Sequence, residues 1–549
     1  MFNLLTDSWI PVSRQSGKQE YISPNGITAH YTDDPIVALN APRPDFNGAL
    51  VQFLVGIVQT ACPPANESEW RRQFANPPSP DDLKKAFGQF THAFNLDGDG
   101  PRFMQDLELD EKTGELNQID HLLMEMPGAQ TLDKNTDHFL KRDTVKRICP
   151  RCCAMALLTL QTNAPSGGRG HRTSIRGGGP LTTLVIGRNL WETIWLNVLT
   201  KDVFLRYGNA DKKNDSDIFP WMGPTRTSEK KGQETTSQHV HPLQLYWGMP
   251  RRIRLESGRS PEKKPCDLCE STESDLTAQY RDKSYGINYK GAWRHPLTPY
   301  FVDEKSGEYQ PKHGQSGGIS YRNWLGLVQN ITEKKYRAEP AVVIHTFRQE
   351  RQDALSGKNE IPFRLWAFGY DMDNMKACGW YEGTMPLIHL EPNLRPEYGL
   401  VVSQMIKTAS LIASDVRLCL KKALFSPNSE VSLGKSFFET VDSRFWQETE
   451  PQFYQTLTDL KNALETRQPL DDIKLRWLAI ISSEGERLFD YYSQSNQISS
   501  VSPRRIALAR RDFRMFSSKS NKKIVELLDL PKPEKTVSLK SRSASKKKT

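Results

Sequence analysis

The stretch Met405-Ile406-Lys407-Thr408-Ala409-Ser410-Leu411-Ile412-Ala413-Ser414-Asp415-Val416-Arg417-Leu418-Cys419-Leu420-Lys421-Lys422-Ala423 decides the fold class. Met405, Ala409, Ile412, Val416, Cys419 and Ala423 recur alternately four and three residues apart, which puts them on one stripe of a long helix. Phe453, Leu457, Leu460 and Leu464 repeat the spacing behind Pro451, Ile473, Trp477 and Ile480 begin another helix behind Pro469, and Arg504 to Phe516 follows Pro503. Helices that each carry a single apolar stripe bury it most readily against one another in an antiparallel bundle. A helical, four-helix-type bundle is therefore predicted over 396–530.

Upstream the character changes every few residues, with short apolar runs, many Gly and Pro, and few long helical periods. Leu184-Val185-Ile186, Val342-Val343-Ile344 and Leu243 to Tyr246 read as strands, and Asn47 to Thr60 and Trp191 to Thr200 as helices. The polar stretches 208–237 and 256–285 read as exposed loops. The fold class is thus α+β: a large mixed α/β N-terminal domain over 1–395, then the bundle, then a tail over 531–549.

A chain of 549 residues with 37 % AVILMFWYC is too apolar for wholesale disorder. It has no apolar run of membrane-spanning length, and Met1 to Asp7 lacks the charged and apolar regions of a signal peptide, so a cytoplasmic location and no membrane partner are expected. The net charge of +9 suggests a nucleic-acid binder until it is located. Residues 531–549 hold seven Lys and Arg against Glu534, a net +6, which leaves only +3 for the first 530 residues. A nucleic-acid surface on the body must then be a local patch. The tail is expected to be disordered, either as a solubilising segment or as a phosphate-binding arm.

Four of the eight cysteines form two CxxC pairs, Cys149-Pro150-Arg151-Cys152 and Cys266-Asp267-Leu268-Cys269. A two-residue spacer lets both thiolates of one turn face a single ion, and two such turns complete a tetrahedron around zinc. Cys149, Cys152, Cys266 and Cys269 are therefore the candidate ligands of a structural Zn2+, with Cys153 a core thiol or a substitute for Cys152. Lys146, Arg147, Arg151, Lys263 and Lys264 lie beside them and offset the negative charge of four thiolates. With four protein ligands, no position is left for a catalytic water.

Between the pairs lie Ala164-Pro165-Ser166-Gly167-Gly168-Arg169-Gly170-His171-Arg172 and Ser174-Ile175-Arg176-Gly177-Gly178-Gly179-Pro180. No Gly-Lys-Ser/Thr follows, so this is not a Walker loop. Bare glycines let backbone approach a ligand closely, and Arg169, Arg172 and Arg176 suit phosphates; the plain alternative is two tight turns.

The opening Phe2-Asn3-Leu4-Leu5-Thr6-Asp7-Ser8-Trp9-Ile10-Pro11-Val12, the two CxxC pairs, the glycine loop, Arg176-Gly177-Gly178 and the C-terminal helices occur in one order that resembles the CasA family over about residues 1–530. CasA proteins are large subunits of the type I-E CRISPR surveillance complex Cascade. The resemblance implies a non-catalytic subunit that recognises the protospacer-adjacent motif (PAM) of double-stranded target DNA through the minor groove, starts unwinding toward an R-loop, and helps recruit the helicase-nuclease. The implied partners are the other Cascade subunits, the guide RNA, target DNA and that nuclease. The minor groove is narrow and its hydrogen-bond code degenerate, which suits glycine backbone and loose motif specificity.

Carried over residue by residue, the glycine loop is Gly167, Gly168, Arg169 and Gly170, where the long cation Arg169 replaces what is often glycine. The lysine finger is Lys283, with Lys290 the alternative register. The strand-splitting wedge is Asp371 to Lys376, with Asp373, Asn374 and Met375 at its tip and the aspartates capping a following helix. A loop contacting guide RNA and PAM carries Phe139 for stacking and Lys141 and Arg142 for phosphates. Arg504, Arg505, Arg510, Arg511 and Arg514 make a basic helix that either guides nucleic acid or is a solvated face.

Two further patterns read as decoys. Asn95-Leu96-Asp97-Gly98-Asp99-Gly100 lacks the ligands of a calcium loop at its ends, and His239-Val240-His241 has no third metal ligand. Rival functions are a metal-dependent nuclease, using Asp371 and Asp373 or Asp45 with Asp110, Glu111 and Lys112, and a zinc-stabilised scaffold that binds only proteins.

Overall fold

Residues 44–61 carry apolar side chains around almost the whole helical circumference, a pattern satisfied only by burial on all sides. They form helix α1 (Pro44–Ala61), opened by Pro44 in its first turn and buried at every position from Gly48 to Thr60. Phe53 takes edge-on contacts from Trp9, Phe94, Phe103 and Trp247 at centroid distances of 5.2 to 6.0 Å. Each such pair adds about 0.5–1.5 kcal/mol beyond the area it buries. The computed structural model describes residues 1–126, 144–168, 170–230, 233–256, 263–273, 275–315, 317–332, 336–355, 363–373, 376–425, 435–494 and 502–531. The chain divides into two compact units, Met1–Ile319 with Asn323–His389, and Ser320–Arg322 with Leu390–Thr549.

Around α1 the first unit arranges small sheets and short helices. Antiparallel strands β1 (Ile10–Arg14), β2 (Gln19–Ile22) and β3 (Ile36–Leu39) run in the order β2-β1-β3. Strand β4 (Glu115–Gln118) pairs with β9 (Gln279–Lys283), which pairs in turn with β6 (Arg252–Glu256). Helix α2 (Pro150–Asn163) follows the first CxxC cysteine, and a two-stranded knuckle of β7 (Lys264–Pro265) and β8 (Thr272–Glu273) carries the second pair. Strand β5 (Thr182–Ile186) borders a long hairpin of β14 (Arg364–Asp373) and β15 (Lys376–Pro386). The remaining sheet has the order β11-β10-β13-β12, from β10 (Tyr300–Asp303), β11 (Tyr309–Pro311), β12 (Ile331–Thr332) and β13 (Tyr336–Glu339).

Three local expectations are overturned. Val342 to Ile344 are helical (Val342–Thr346), because a helical turn sets Val343, Ile344 and Phe347 together in the core and packing outweighs β-branched propensity. Leu243 to Tyr246 form a 3-10 turn, since Pro242 fixes the first position and the His241 ring accepts the Leu243 N–H. Within the polar 256–285 stretch lies β9, whose Tyr280 alone is buried while Arg281 pairs with Glu256. The helix around Trp191 is shorter than its apolar run, Leu190–Leu196, capped at its start by Asn189.

In the second unit the helices are α3 (Arg395–Leu424), α4 (Lys435–Glu465), α5 (Asp471–Gln494), α6 (Pro503–Phe516) and α7 (Lys522–Leu528). The stripe Met405, Ala409, Ile412, Val416, Cys419 and Ala423 is fully buried, and α3 packs against each of the other four. Pro451 does not begin a helix as its ring suggests; α4 runs through it, with Val441, Phe445 and Trp446 buried before it and Phe453, Leu457 and Leu460 after it. Tyr321 belongs to this unit, its ring stacked on Phe453 at 4.3 Å and its hydroxyl 2.9 Å from Thr449 Oγ1. The tail beyond residue 531 lies outside the described residues.

Candidate functional site

Cys149 sits just ahead of α2 and Cys152 in its first turn, while Cys266 and Cys269 occupy the turn between β7 and β8. The knuckle is held there by backbone: Asp267 accepts from the N–H groups of Lys146 and Arg147 at 2.7 and 2.9 Å, and Ile148 pairs with Thr277. All four Sγ atoms lie within 4.8 Å of one another, and Cys149 Sγ is 3.6 Å from Cys269 Sγ. Four thiolates at Zn–S distances of about 2.3 Å stand about 3.8 Å apart, so this donor set fits a tetrahedral ion. Its contact with Cys149 first, and with the other two sulfurs next, pushes the Cys152 thiol far up, because sulfurs so crowded cannot all ionise without a cation. Burial pushes Cys153 up to about 12, and its sulfur faces the Ile148 carbonyl, so it is a core thiol rather than a ligand. Arg151 lies 4.5 Å over the Tyr21 ring and pairs with Glu273, close enough for the cluster's charge to raise its pKa.

The glycine loop closes as a tight turn in which Gly167 bridges His171. Gly168 and Gly170 have φ of +55° and +85°, the left-handed region that favours glycine. They differ in surroundings. A Cβ on Gly168 meets nothing within 4 Å, whereas one on Gly170 falls 3.0 Å from Ser284 and Tyr285. The Tyr285 N–H donates to the Gly170 carbonyl at 2.7 Å, which docks the loop against the segment leaving β9. Lys283, the last residue of β9, is therefore brought beside a loop more than a hundred residues upstream. It makes no ion pair among the described residues, while Lys290 lies 3.7 Å from Glu234.

Of the nearby arginines, Arg176 is buried and donates to Thr182, Thr298 and Gln52, so it cannot reach a phosphate at the loop. Arg172 bonds Ser228. Sequence reasoning missed Arg251, whose guanidinium donates to the Pro165 carbonyl at 2.5 Å and lies beneath Gly167 with no ion pair among the described residues. Burial lowers it to about 10. No spacing marks it, since it reaches the loop only through the path of β6.

Asp371 and Asp373 lie on β14, and the register ends with Asp373 opposite Lys376. No helix follows for the aspartates to cap; the next element is the partner strand β15, whose Trp380, Tyr381 and Thr384 favour extended backbone. The hairpin is fixed close to its turn, at the Tyr370–Trp380 pair. Tyr370 donates to Asp45 Oδ2 at 2.6 Å, and Arg43 bridges Asp45 to Glu125. Gly48 of α1 lets Trp380 and Phe368 rest on the helix, for a Cβ there would fall 2.7 Å from the indole.

The sequence profile described as CRISPR-associated protein Cse1 matches residues 3–487. The chain belongs to the Cse1 family. Cse1 structures share its fold: that of Thermobifida fusca Cse1 is 16% identical at a TM-score of 0.69, covering 96% of this chain and 98% of that one. CasA from Thermus thermophilus is 15% identical at 0.68, covering 94% and 99%. A chain of a structure named a CRISPR RNA-guided surveillance complex is 16% identical at 0.63, covering 94% and 99%.

In this Cse1-family chain Arg169, Asn374 and Met375, and the loop residues Phe139, Lys141 and Arg142, lie outside the described residues. The carboxylates of the nuclease alternative do not converge. Asp45 is tied to Arg43 and Tyr370, Asp110 closes a turn with Thr113, and among the described residues only the four cysteines group as metal donors. His241 is buried, caps a turn and is lowered to about 4 by burial; Asp97 accepts the Phe2 N–H. On α6, Arg510 and Arg514 pair with Glu486 and Arg511 with Asp512, which spends much of that helix's charge. No helix among the described residues is long and apolar enough to cross a membrane.

Proposed function

We propose that this chain is the non-catalytic large subunit of a type I-E RNA-guided surveillance complex, reading the PAM of duplex DNA in the minor groove and opening the duplex beside it. Gly167, Gly168, Arg169, Gly170 and Lys283 form the reading edge. Asp373, Asn374 and Met375 form the wedge, and Phe139, Lys141 and Arg142 serve the guide RNA. Cys149, Cys152, Cys266 and Cys269 hold a structural Zn2+ that keeps α2 and the β7–β8 knuckle together. The complex brings guide RNA, the other subunits and a helicase-nuclease to the same target, in the cytoplasm.

The observation that supports the reading is the Tyr285–Gly170 hydrogen bond, which brings Lys283, without an ion pair among the described residues, to the loop in which a Cβ on Gly168 would meet nothing within 4 Å. Bare backbone enters a narrow groove where a side chain would not, and Arg251 below adds positive potential near the phosphates. Separating the first base pair costs a few kcal/mol, offset by contacts to the PAM and by the growing guide hybrid.

The test is a library of PAM-flanked duplexes presented to the reconstituted complex. Gly168→Asp abolishes PAM-dependent binding in this reading; an unchanged PAM profile overturns the assignment of the loop. Incubation of the chain with labelled DNA and Mg2+ or Mn2+ separates the nuclease alternative, which requires cutting that Asp373→Ala abolishes.

A further inference from the structure

Next to the glycine loop in sequence, Thr173 to Gly177 form one wall of an open hollow of about 510 Å³ whose other walls come from 289–293 and from β10, β11 and the turn after it. That volume lies within the range of about 300–1,000 Å³ typical of small-molecule sites. Five aromatic rings line it, among them Tyr289, Phe301 and Tyr309, and no Asp or Glu does.

Among the described residues the positive groups there lack counter-charges. Arg176, 3% exposed, has only neutral acceptors in Thr182, Thr298 and Gln52. Lys312 donates to the Gly326 carbonyl at 3.2 Å and lies 4.6 Å from the Phe301 centroid, with no carboxylate partner among the described residues. Glu339, on neighbouring β13, is taken up by Arg294 and Arg337. Burial lowers Lys312 to about 8 and Arg176 to about 10, as expected of cations removed from water without an anion. A buried cation of this kind is costly unless an anion completes it.

An anion alone does not explain the rings. Aromatic walls stack planar groups, and a cation held against a ring serves a phosphate attached to one. We propose that this hollow is a nucleotide site, in which Lys312 meets the phosphate, Arg176 supplies positive potential from beneath, and the base lies against the aromatic walls. The nucleotide is either free or an unpaired member of a DNA strand. The inference goes beyond the PAM reading and does not depend on it.

The test uses the full chain and ligand-observed NMR with thymidine 5′-monophosphate, abasic deoxyribose 5-phosphate and inorganic phosphate as probes. The nucleotide should bind at least tenfold more tightly than either base-free probe. Lys312→Met should weaken it about tenfold, and Gln315→Glu, an exposed rim substitution that spares the fold, about threefold. Competition by a duplex with one extrahelical thymidine, but not by its fully paired counterpart, assigns the site to a strand; competition by neither duplex assigns it to free nucleotide. Absence of nucleotide binding, equal binding of phosphate, or affinity unmoved by both substitutions overturns the proposal. Gly168→Asp should leave nucleotide affinity within twofold, so failure of this site and failure of the PAM reading are separable.

Discussion

In the cysteine cluster four sulfurs converge within 4.8 Å and three of the four residues are buried; at the glycine loop a Cβ on Gly168 would meet nothing within 4 Å. Both join segments distant in sequence, and both rest on neighbouring backbone bonds, the cluster through Asp267 and the loop through Tyr285. They differ in what residue identity supplies. The cluster needs a particular atom at each of four points, so any change of type removes a ligand. In the proposed reading the loop needs the absence of atoms, and its neighbours supply the charge. One region should therefore fail in stability when altered, and the other in recognition with the fold intact.

The largest effect expected is on the cluster. Cys266→Ser, or chelation of the wild-type chain, should release about one equivalent of zinc, destabilise the first unit by several kcal/mol and lower its melting temperature by on the order of 10 °C. Metal analysis with calorimetry checks this, and an unchanged melting curve in a metal-free chain would remove the structural role. Gly168→Asp should lose at least about a hundredfold in PAM-dependent binding while costing only about 1–2 kcal/mol in stability, the strain of a left-handed backbone. If it unfolds the chain instead, the contrast between the two regions breaks.

Gly48→Ala sharpens the comparison, because here a missing side chain serves packing. A Cβ 2.7 Å from Trp380 and 2.9 Å from Phe368 should cost about 1–3 kcal/mol in denaturant titration. The same substitution should slow strand opening, read by a fluorescent base beside the PAM, with little change in initial duplex binding. Lys283→Ala should have the smallest effect, about a tenfold loss of duplex affinity and a salt slope shallower by about one. Lys290→Ala, with its nearby Glu234, should stay within twofold, and the reverse result would move the finger to Lys290.

The bundle was legible because its signal is periodic: the six-residue stripe of α3 depends only on helical geometry and on the need to bury one face. The CxxC pairs were legible because their chemistry is carried by residue type. Val342 to Ile344 misled because propensity is weak against a core that wants Val343 and Ile344 on a helical turn. The wedge was misread as a helix cap because Asp-X-Asp fits several local structures, and only pairing with β15 decides among them. Arg251 and the Tyr370–Asp45 bond were not legible, since each contact joins elements far apart in sequence with nothing local to announce it. Arg176 looked like a phosphate ligand beside glycines and is instead a buried donor to hydroxyls and an amide.

The anchorage of the β14–β15 hairpin has a mechanical consequence. With β5 paired along Arg364 to Phe368, Tyr370 bolted to Asp45 and the Trp380 indole seated on bare helix at Gly48, the hairpin is held from its base to within three residues of its turn. A load at its turn cannot be relieved by pivoting without unseating that ring or parting that bond. The torque passes instead into α1, whose residues from Gly48 to Thr60 are all buried.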